Sequence, residues 1–271
     1  MSNSHRLGTA LVTGASSGIG KVYADRLAHR GYDLILVARD KDRLTALAAK
    51  LSAEAGVKAE VLAADLTDKA DLKKVEQRLA DDAAITLLLN NAGIGGNGPL
   101  ALADTDGVEK IVQLNVLAVA RLASVAARTF GARKAGTIIN VGSVLGLAPE
   151  IFPGVYPATK SFVQTLSQSL HNELGNSGVR IQAVLPGATR TEIWERTGKD
   201  VEDLPSDWVM EVDEMVDAAL VGFDQGEVIT IPPLPDIADF QALEAARLKL
   251  APNLSRSHAA ARYKVAPAVA A

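Results

Sequence analysis

Seven short runs of apolar residues, many of them β-branched, recur along the chain, and stretches of helical periodicity lie between them. Runs that are apolar at successive positions are typical of parallel strands, which are buried on both faces. A helix after each strand returns the chain to the same edge of the sheet, so helices cover both faces. The sequence therefore predicts an α/β domain with one doubly wound parallel sheet of seven strands, at residues 9–13, 34–38, 59–63, 85–89, 137–141, 180–185 and 228–231.

The composition changes after Ile231, where Pro232 and Pro233 interrupt regular structure and the final residues are rich in alanine. The remaining residues are fewer than a typical domain contains. We therefore predict a single domain over residues 1–231 and a C-terminal extension over residues 232–271.

The overall charge limits the partners of the chain. It carries 28 Lys and Arg residues against 32 Asp and Glu residues, for a net charge of −4, without a basic cluster. Nucleic acids and anionic membranes are bound by concentrated Lys and Arg, so neither partner is expected. No apolar run approaches the roughly 20 residues of a membrane-spanning helix, and the polar N-terminus does not resemble a signal peptide. We therefore expect a soluble, cytoplasmic protein.

The chain contains no cysteine, which excludes disulfide bonds, thiolate catalysis and cysteine-ligated zinc. His, Asp and Glu side chains do not recur at the spacing of metal ligands, so no metal site is predicted. Any chemistry then depends on other side chains or on an organic cofactor.

A glycine-rich turn, Thr-Gly-Ala-Ser-Ser-Gly-Ile-Gly, follows the first predicted strand from Thr13 to Gly20. Backbone N–H groups and the positive end of the next helix can face a pyrophosphate there, and glycine lets the main chain approach closely. An ordinary glycine-rich turn is the alternative, while the missing Lys-Ser/Thr after the last glycine argues against a P-loop. The residues predicted to bind a cofactor here are Gly14, Ser16, Ser17, Gly18, Ile19 and Gly20.

The second predicted strand ends in Val37-Ala38-Arg39-Asp40, where dinucleotide-binding folds recognise the adenosine ribose. An acidic side chain there binds a ribose 2′-hydroxyl, whereas a guanidinium suits a 2′-phosphate. Arg39 therefore favours NADP(H) over NAD(H). Two alternatives stay open: Arg39 is an ordinary surface residue, or Asp40 competes for Arg39 or contacts the ribose itself.

Tyr156 and Lys160 stand four residues apart at the start of a predicted helix, which places both on one face. Ser143 ends the fifth predicted strand, at the carboxyl edge where ligands bind in open α/β sheets. A tyrosine that acts as an acid or base near neutral pH needs a pKa roughly three units below its usual value of about 10. An adjacent ammonium favours the phenolate, so we expect Lys160 to lower the pKa of Tyr156.

These motifs together resemble the short-chain dehydrogenase/reductase family in its compact single-domain form. The resemblance covers about residues 7–231 and implies a Rossmann-like fold. It also implies an NAD(P)(H)-dependent oxidoreductase that interconverts a carbonyl group and a secondary alcohol by hydride transfer. The residues that carry it are Thr13 to Gly20, Asp65, Asn90-Asn91-Ala92-Gly93, Asn115, Ser143, Tyr156, Lys160 and Pro186-Gly187 with Thr191.

The resemblance implies a role for each catalytic residue. Tyr156 passes a proton to or from the substrate oxygen, and Ser143 holds that oxygen. Lys160 binds the nicotinamide ribose and lowers the pKa of Tyr156. Asn115 holds a water that links Lys160 to solvent, although a buried structural amide is the alternative, and Asn90 is expected to tie strands together. Further implied cofactor contacts are Asp65, Leu66, Asn91, Ala92, Gly93, Pro186, Gly187, Thr189 and Thr191.

The resemblance also places the substrate between three segments, residues 94–100, 144–154 and 192–210. Within them, Leu145, Phe152 and Trp194 are predicted to contact the substrate beside Ser143 and Tyr156. An apolar wall next to one oxygen site suggests a hydrophobic or aromatic carbonyl compound, and a preference for NADP(H) suggests its reduction. One alternative is that these apolar residues only pack the segments onto the sheet. Another is an anionic substrate, because Arg190 and Arg196 lie beside or within the third segment.

The long predicted helix from Leu114 to Phe130 has more apolar residues than one face of a sheet covers. We therefore expect a homodimer through this helix and the helix after Tyr156, or the homotetramer common in the family. A catalytically silent, nucleotide-sensing regulator on the same fold is the alternative to an enzyme, and the intact catalytic set argues against it. A sugar-nucleotide epimerase would need a larger C-terminal domain than residues 232–271 supply.

Overall fold

The computed structural model describes residues 7–96, 98–196 and 200–263. It divides into two compact units between Pro232 and Pro233. The first unit contains the sheet and the helices around it. The second contains helix α9 (Ile237–Leu250), whose first turn is capped by the Asp236 carboxylate.

The first unit is built on one parallel sheet with the strand order β3-β2-β1-β4-β5-β6-β7. The chain crosses from β3 at one edge to β4 beside β1, which creates a switch point at the carboxyl ends of β1 and β4. This arrangement confirms the predicted doubly wound α/β fold. The strands in the described residues are β1 (Thr9–Thr13), β2 (Asp33–Ala38), β3 (Ala59–Ala63), β4 (Ile85–Asn90), β5 (Gly136–Val141), β6 (Val179–Val184) and β7 (Ile229–Thr230).

The seventh strand is shorter than the predicted range 228–231, which is therefore wrong at its ends. Only Ile229 and Thr230 pair with Ala183 and Val184 of β6. β7 lies at the edge of the sheet, and β6 is its single neighbour. Because β6 ends at Val184, the following residues have no strand to pair with.

Helices cover both faces of the sheet, and each face has its own apolar core. Leu44 and Met215 are fully buried in one core, and Leu122 and Phe130 in the other. Asp68 caps the helix Lys69–Asp81 by accepting hydrogen bonds from two N–H groups of its first turn. One face carries α1 (Gly18–His29), α2 (Lys41–Ala55) and α8 (Val212–Asp224), and the other carries α3 (Lys69–Asp81), α4 (Thr105–Val112), α5 (Val119–Arg133) and α6 (Val155–Leu174).

The long helical stretch after residue 105 contains an interruption that the sequence did not predict. Residues Gln113–Ala118 form a π-helical turn between α4 and α5, and such turns are frequent at functional sites. By length and composition the run Thr105–Arg133 is apolar enough to cross a membrane, contrary to the expectation from the search for apolar runs. Ala126 and Phe130 of this run are fully buried in the core. Packing against the sheet therefore accounts for part of its apolar character, and 44% of its most apolar 18 residues is buried.

A network of buried, hydrogen-bonded polar side chains joins the centre of the sheet to α6. Asn90 Nδ2 donates to Asn140 Oδ1 over 2.9 Å, and Asn140 Nδ2 donates to Ser167 Oγ over 2.9 Å. Asn140 and Ser167 are completely buried. Asn90 thus ties β4 to β5, as expected. The hydrogen bond from Asn140 to Ser167 extends this network to α6, the helix that carries Tyr156.

Asn140→Ala removes both hydrogen bonds of this network and leaves the Asn90 amide group without its partner. Each buried polar group left unpaired costs about 1–3 kcal/mol, so we expect the free energy of unfolding to fall by about 2–4 kcal/mol. Urea denaturation measures the loss, with Asn172→Ala on the exposed side of α6 as the control. A change below about 0.5 kcal/mol, the size of a typical surface substitution, would contradict a stabilising role of this hydrogen-bond network.

Candidate active site

The glycine turn between β1 and α1 leaves its main chain open to a ligand. Gly14 and Gly18 have φ angles of 67° and 49°, which other residues adopt only with strain. A Cβ atom added at Gly20 would lie 2.3 Å from the carbonyl oxygen of Gly14. Because α1 starts at Gly18, its free N–H groups and its positive end face the turn. These features fit the pyrophosphate of a dinucleotide.

Thr13 and Asn91 hold this turn against the end of β4. The Thr13 hydroxyl donates to the Leu89 carbonyl over 3.1 Å and accepts from the N–H groups of Asn91 and Ala92 at 2.9 and 3.1 Å. The Asn91 side chain donates to the Thr13 carbonyl over 2.9 Å. Asn91, predicted as a cofactor contact, therefore also has a structural role.

The residues predicted for the adenosine end of the cofactor follow β2 and β3. Arg39 is exposed directly after β2. Burial alone would raise the pKa of Asp65, but hydrogen bonds from Thr67 and the charges of Arg39 and a nearby lysine lower it overall. Asp40 caps α2 by accepting from the Arg43 N–H over 3.0 Å, and its carboxylate lies 3.4 Å from the Arg43 guanidinium. Asp40 is thus paired with Arg43, which leaves Arg39 beside Asp65.

Four predicted catalytic residues converge at the carboxyl edge of β4 and β5. Ser143 follows β5, and Tyr156 and Lys160 lie in the first two turns of α6. Lys160 Nζ is 5.5 Å from the centroid of the Tyr156 ring and donates to the Val141 carbonyl over 3.0 Å. Ser143, Lys160 and Asn115 are all buried. A phenol, a hydroxyl and an ammonium held together in this way can exchange a proton with a ligand oxygen.

Asn115 lies in the π-helical turn, and the protein itself engages its side chain. Its Oδ1 accepts from the Ile94 N–H over 3.0 Å, and its Nδ2 donates to the Ile94 carbonyl over 2.9 Å and to Thr159 Oγ1 over 3.3 Å. A Cβ atom at Gly93 would lie 3.2 Å from Asn115 Oδ1 and 3.7 Å from Lys160 Nζ. The amide is therefore structural and adjacent to Lys160, while its water-holding role stays a prediction.

Burial governs the protonation of Tyr156 and Lys160. It raises the pKa of Tyr156 to about 12, and a hydrogen bond with Ser143 offsets only part of this rise. Burial also lowers the pKa of Lys160 to about 8. The expected fall of the Tyr156 pKa towards neutrality is not found in this structure, because burial is the largest influence on that pKa and helical spacing predicts proximity but not burial. Tyr156 is a phenol at neutral pH.

The predicted cofactor residues after β6 border both Ser143 and the glycine turn. Ser143 Oγ lies 3.5 Å from the Pro186 carbonyl oxygen. Farther along, the Thr191 side chain reaches the turn, since a Cβ atom at Gly18 would lie 3.2 Å from Thr191 Cγ2. This segment therefore connects the catalytic edge to the turn.

Two of the predicted substrate residues lie beside the catalytic group. The Phe152 ring meets the Tyr156 ring edge-on, with centroids 6.3 Å apart. The Leu145 N–H donates to Ser143 Oγ over 3.2 Å. Both residues therefore flank the oxygen-binding position from the segment after β5.

The third predicted substrate residue, Trp194, lies in the short helix α7 (Ile193–Arg196). Its Nε1 donates to the Thr189 carbonyl over 2.8 Å. It lines a cavity of about 960 Å³ together with residues of α1, α2 and α8, and neither Ser143 nor Tyr156 is among the described residues around that cavity. The substrate contact of Trp194 stays a prediction.

Ion pairs that the sequence analysis did not identify anchor the segment after β6. The Arg190 guanidinium donates to Glu211 over 2.8 Å and also pairs with Glu202. Arg43 at the start of α2 donates to both carboxylate oxygens of Glu192, at 2.9 and 2.8 Å. Arg43 and Glu192 are far apart in the chain and at no periodic spacing, so no local sequence signal identifies this pair.

A family model described as short chain dehydrogenase matches residues 8–202. The matched range includes the glycine turn, Asn115, Ser143, Tyr156 and Lys160. The chain belongs to the short-chain dehydrogenase/reductase family. The resemblance stated from the sequence is thereby confirmed.

Curated relatives of this short-chain dehydrogenase include very-long-chain 3-oxoacyl-CoA reductases. The protein from Bos taurus is 34% identical over 188 residues, which are 68% of this chain and 60% of that protein. The protein from Homo sapiens is 33% identical over 201 residues, which are 73% of this chain and 64% of that protein. The chain therefore spans less than two thirds of the length of these relatives.

Solved structures of similar dehydrogenases cover more of the chain. A short-chain dehydrogenase from Sphingobium yanoikuyae in complex with NADPH superimposes with a TM-score of 0.93 and 54% identity, over 95% of this chain and 100% of that chain. The bulky-bulky ketone specific alcohol dehydrogenase from Comamonas testosteroni gives 0.88 and 46%, over 95% and 99%. This short-chain dehydrogenase thus shares its fold with both over nearly its whole length.

Proposed function

We propose that this short-chain dehydrogenase reduces an apolar ketone to a secondary alcohol with NADPH. The observation that carries the proposal is the half-buried Tyr156 phenol, hydrogen-bonded to Ser143 and close to the buried Lys160. Reduction requires a proton donor at the carbonyl oxygen, and a tyrosine with a pKa of about 12 stays protonated at physiological pH.

Each catalytic residue has a separate task in the proposed reaction. Ser143 donates a hydrogen bond to the carbonyl oxygen, and Tyr156 donates its phenolic proton as that oxygen gains negative charge. Lys160 binds the nicotinamide ribose, and its ammonium stabilises the phenolate left on Tyr156. Asn115 holds a water through which the proton is restored from solvent. When bound, the nicotinamide supplies the hydride.

The proposed cofactor site follows the carboxyl edge of the sheet from Arg39 to Lys160. A Cβ atom at Gly14 would lie 2.7 Å from Asn91 Nδ2, so the turn has no room for a side chain at Gly14, and glycine there lets the main chain approach a pyrophosphate closely. Arg39 offers a guanidinium for a 2′-phosphate. The NADPH complex of the similar Sphingobium yanoikuyae enzyme supports NADP(H) over NAD(H).

A ketone with apolar groups on both sides of the carbonyl is the substrate class that the site supports best. Phe152 stands against Tyr156, and the flanking segments expose Leu100, Leu102 and Ile151. The similar Comamonas testosteroni enzyme is named for bulky-bulky ketones. The curated relatives are named for acyl-CoA substrates. Residues 94–100 and 144–154 contain no Lys or Arg to bind the phosphates of coenzyme A, and the basic residues of the third segment, 192–210, are Arg196 and Lys199. We therefore favour an uncharged ketone.

We further propose that the chain forms a homodimer through α5 and α6. A surface groove between these helices is lined by Ala127, Leu166 and Leu170, with Arg128 and Glu173 as charges of opposite sign at its border. Self-complementary surfaces of this kind suit a two-fold interface. A homotetramer and the cytoplasmic location stay predictions.

Tyr156→Phe removes the proposed proton donor and leaves the ring in place. We expect kcat to fall at least about 100-fold, because general acid catalysis contributes about 10²–10⁴-fold, with the Kd for NADPH nearly unchanged. Nicotinamide absorbance against a panel of bulky ketones measures turnover, and Tyr32→Phe at the opposite edge of the sheet is the control. Full activity of Tyr156→Phe would refute the assignment. NADPH binding without turnover in the unmodified chain would instead support the silent nucleotide-sensing regulator.

Arg39→Ala removes the proposed partner of the 2′-phosphate. Hydrogen bonds to charged groups contribute about 1.5–3 kcal/mol, so we expect NADPH to bind about tenfold more weakly or worse, with NADH binding unchanged. Fluorescence titration measures both affinities. Lys58→Ala, which removes the same charge at the start of β3, is the control. Equal losses for both cofactors in Arg39→Ala would exclude a 2′-phosphate contact.

A further inference from the structure

Thr159 joins two residues assigned to the reaction. It is 2% exposed, and its hydroxyl donates to the main-chain oxygen of Tyr156 over 2.7 Å and accepts from Asn115 Nδ2 over 3.3 Å. A hydroxyl has one proton to donate, so the direction of the path is fixed from Asn115 to Thr159 to Tyr156. Asn115 in turn holds both main-chain groups of Ile94. One hydrogen-bonded path therefore connects the loop after β4 to the first turn of α6.

The path ends where α6 has little other side-chain support. Gly154 occupies the N-cap position with a φ of 100°, and no side chain caps the helix start. The Ser161 hydroxyl lies 2.8 Å from the Gly146 carbonyl oxygen and 3.2 Å from the Pro157 carbonyl oxygen, so it bonds to neighbours of Tyr156 and not to Tyr156. Among the described side chains, the Thr159 hydroxyl is the one found hydrogen-bonded to the main chain of Tyr156.

We propose that Thr159 is a positioning residue, whose hydroxyl holds Tyr156 in register with Ser143 and Lys160. The inference rests on the proposed carbonyl reduction. Thr159 touches no reacting atom and acts only through the main chain of Tyr156. A misplacement of about 1 Å at a catalytic group can cost about 100-fold in rate, so turnover reports the loss of this restraint sensitively.

Two variants isolate the hydroxyl. Thr159→Ser and Thr159→Ala both lose the γ-methyl group, and only serine keeps the hydroxyl. Thr129→Ser and Thr129→Ala are the matched controls, because the Thr129 hydroxyl bonds to the Val125 carbonyl one turn back in α5, over 3.0 Å. Each full-length variant is characterised by four quantities. These are kcat and KM with a bulky ketone, the Kd for NADPH and the midpoint of thermal unfolding.

We expect kcat of Thr159→Ala to be at least about tenfold below that of Thr159→Ser, with KM and the NADPH Kd equal within about twofold. The two Thr129 variants should have the same kcat. Equal kcat values for the Thr159 pair would overturn the proposal. A difference confined to KM or to NADPH affinity would overturn it as well.

A second readout is independent of turnover. The ¹³C NMR signal of the Tyr156 Cζ atom, assigned with Tyr156→Phe in tyrosine-labelled protein, reports the environment of the phenol. We expect this signal to move in Thr159→Ala and to stay in place in Thr159→Ser. An unmoved signal in both overturns the inference, whereas a moved signal in a chain without turnover supports it and refutes the proposed function alone. If Thr159→Ala does not fold, Thr159→Val preserves the side-chain volume and replaces it in both measurements.

Discussion

The Thr13 hydroxyl holds the ends of β1 and β4 together, and the arrangement of the site depends on this contact. These two strands are neighbours at the point where the chain changes direction across the sheet, so a crevice forms at their carboxyl ends. Thr13 fills part of that crevice with three hydrogen bonds to the end of β4 and to the two residues after it. The glycine turn then lies beside Asn91, and the catalytic residues after β4 and β5 face the same edge.

Buried polar groups extend this rigidity from the sheet to the catalytic helix. Asn140 connects β5 to α6 through Ser167, and Asn115 connects the loop after β4 to α6 through Thr159. Hydrogen bonds in a low-dielectric interior are strong and costly to break. The same burial raises the pKa of Tyr156 and lowers that of Lys160. The environment that fixes the geometry therefore also fixes the protonation state, and a protonated Tyr156 suits reduction.

Local patterns predicted those features of the fold and site that depend on local sequence. β1 and β3 have the predicted bounds, because short apolar runs between turns define them. β7 is shorter than predicted, because its length depends on where β6 ends. Helical spacing correctly predicted that Tyr156 and Lys160 lie close together. Their pKa values follow from burial, which the spacing of two residues does not predict. Thr159 lies three residues after Tyr156 and on the same helix face, a signal that a search for polar residues near the catalytic pair would have found. The pairing of Arg43 with Glu192 has no such signal.

Burial keeps Tyr156 protonated, and this protonation is what makes the site a proton donor. The most direct measurement is kcat/KM against pH in both directions, with a ketone that the enzyme accepts and with the corresponding alcohol. With pKa values of about 12 for Tyr156 and about 8 for Lys160, reduction should not vary between about pH 6 and 7, because both groups stay protonated there. Oxidation requires the phenolate and should rise about tenfold per pH unit over the same range. A rate of oxidation that is already level between about pH 6 and 7 would mean that Tyr156 is ionised below neutrality, which contradicts the account.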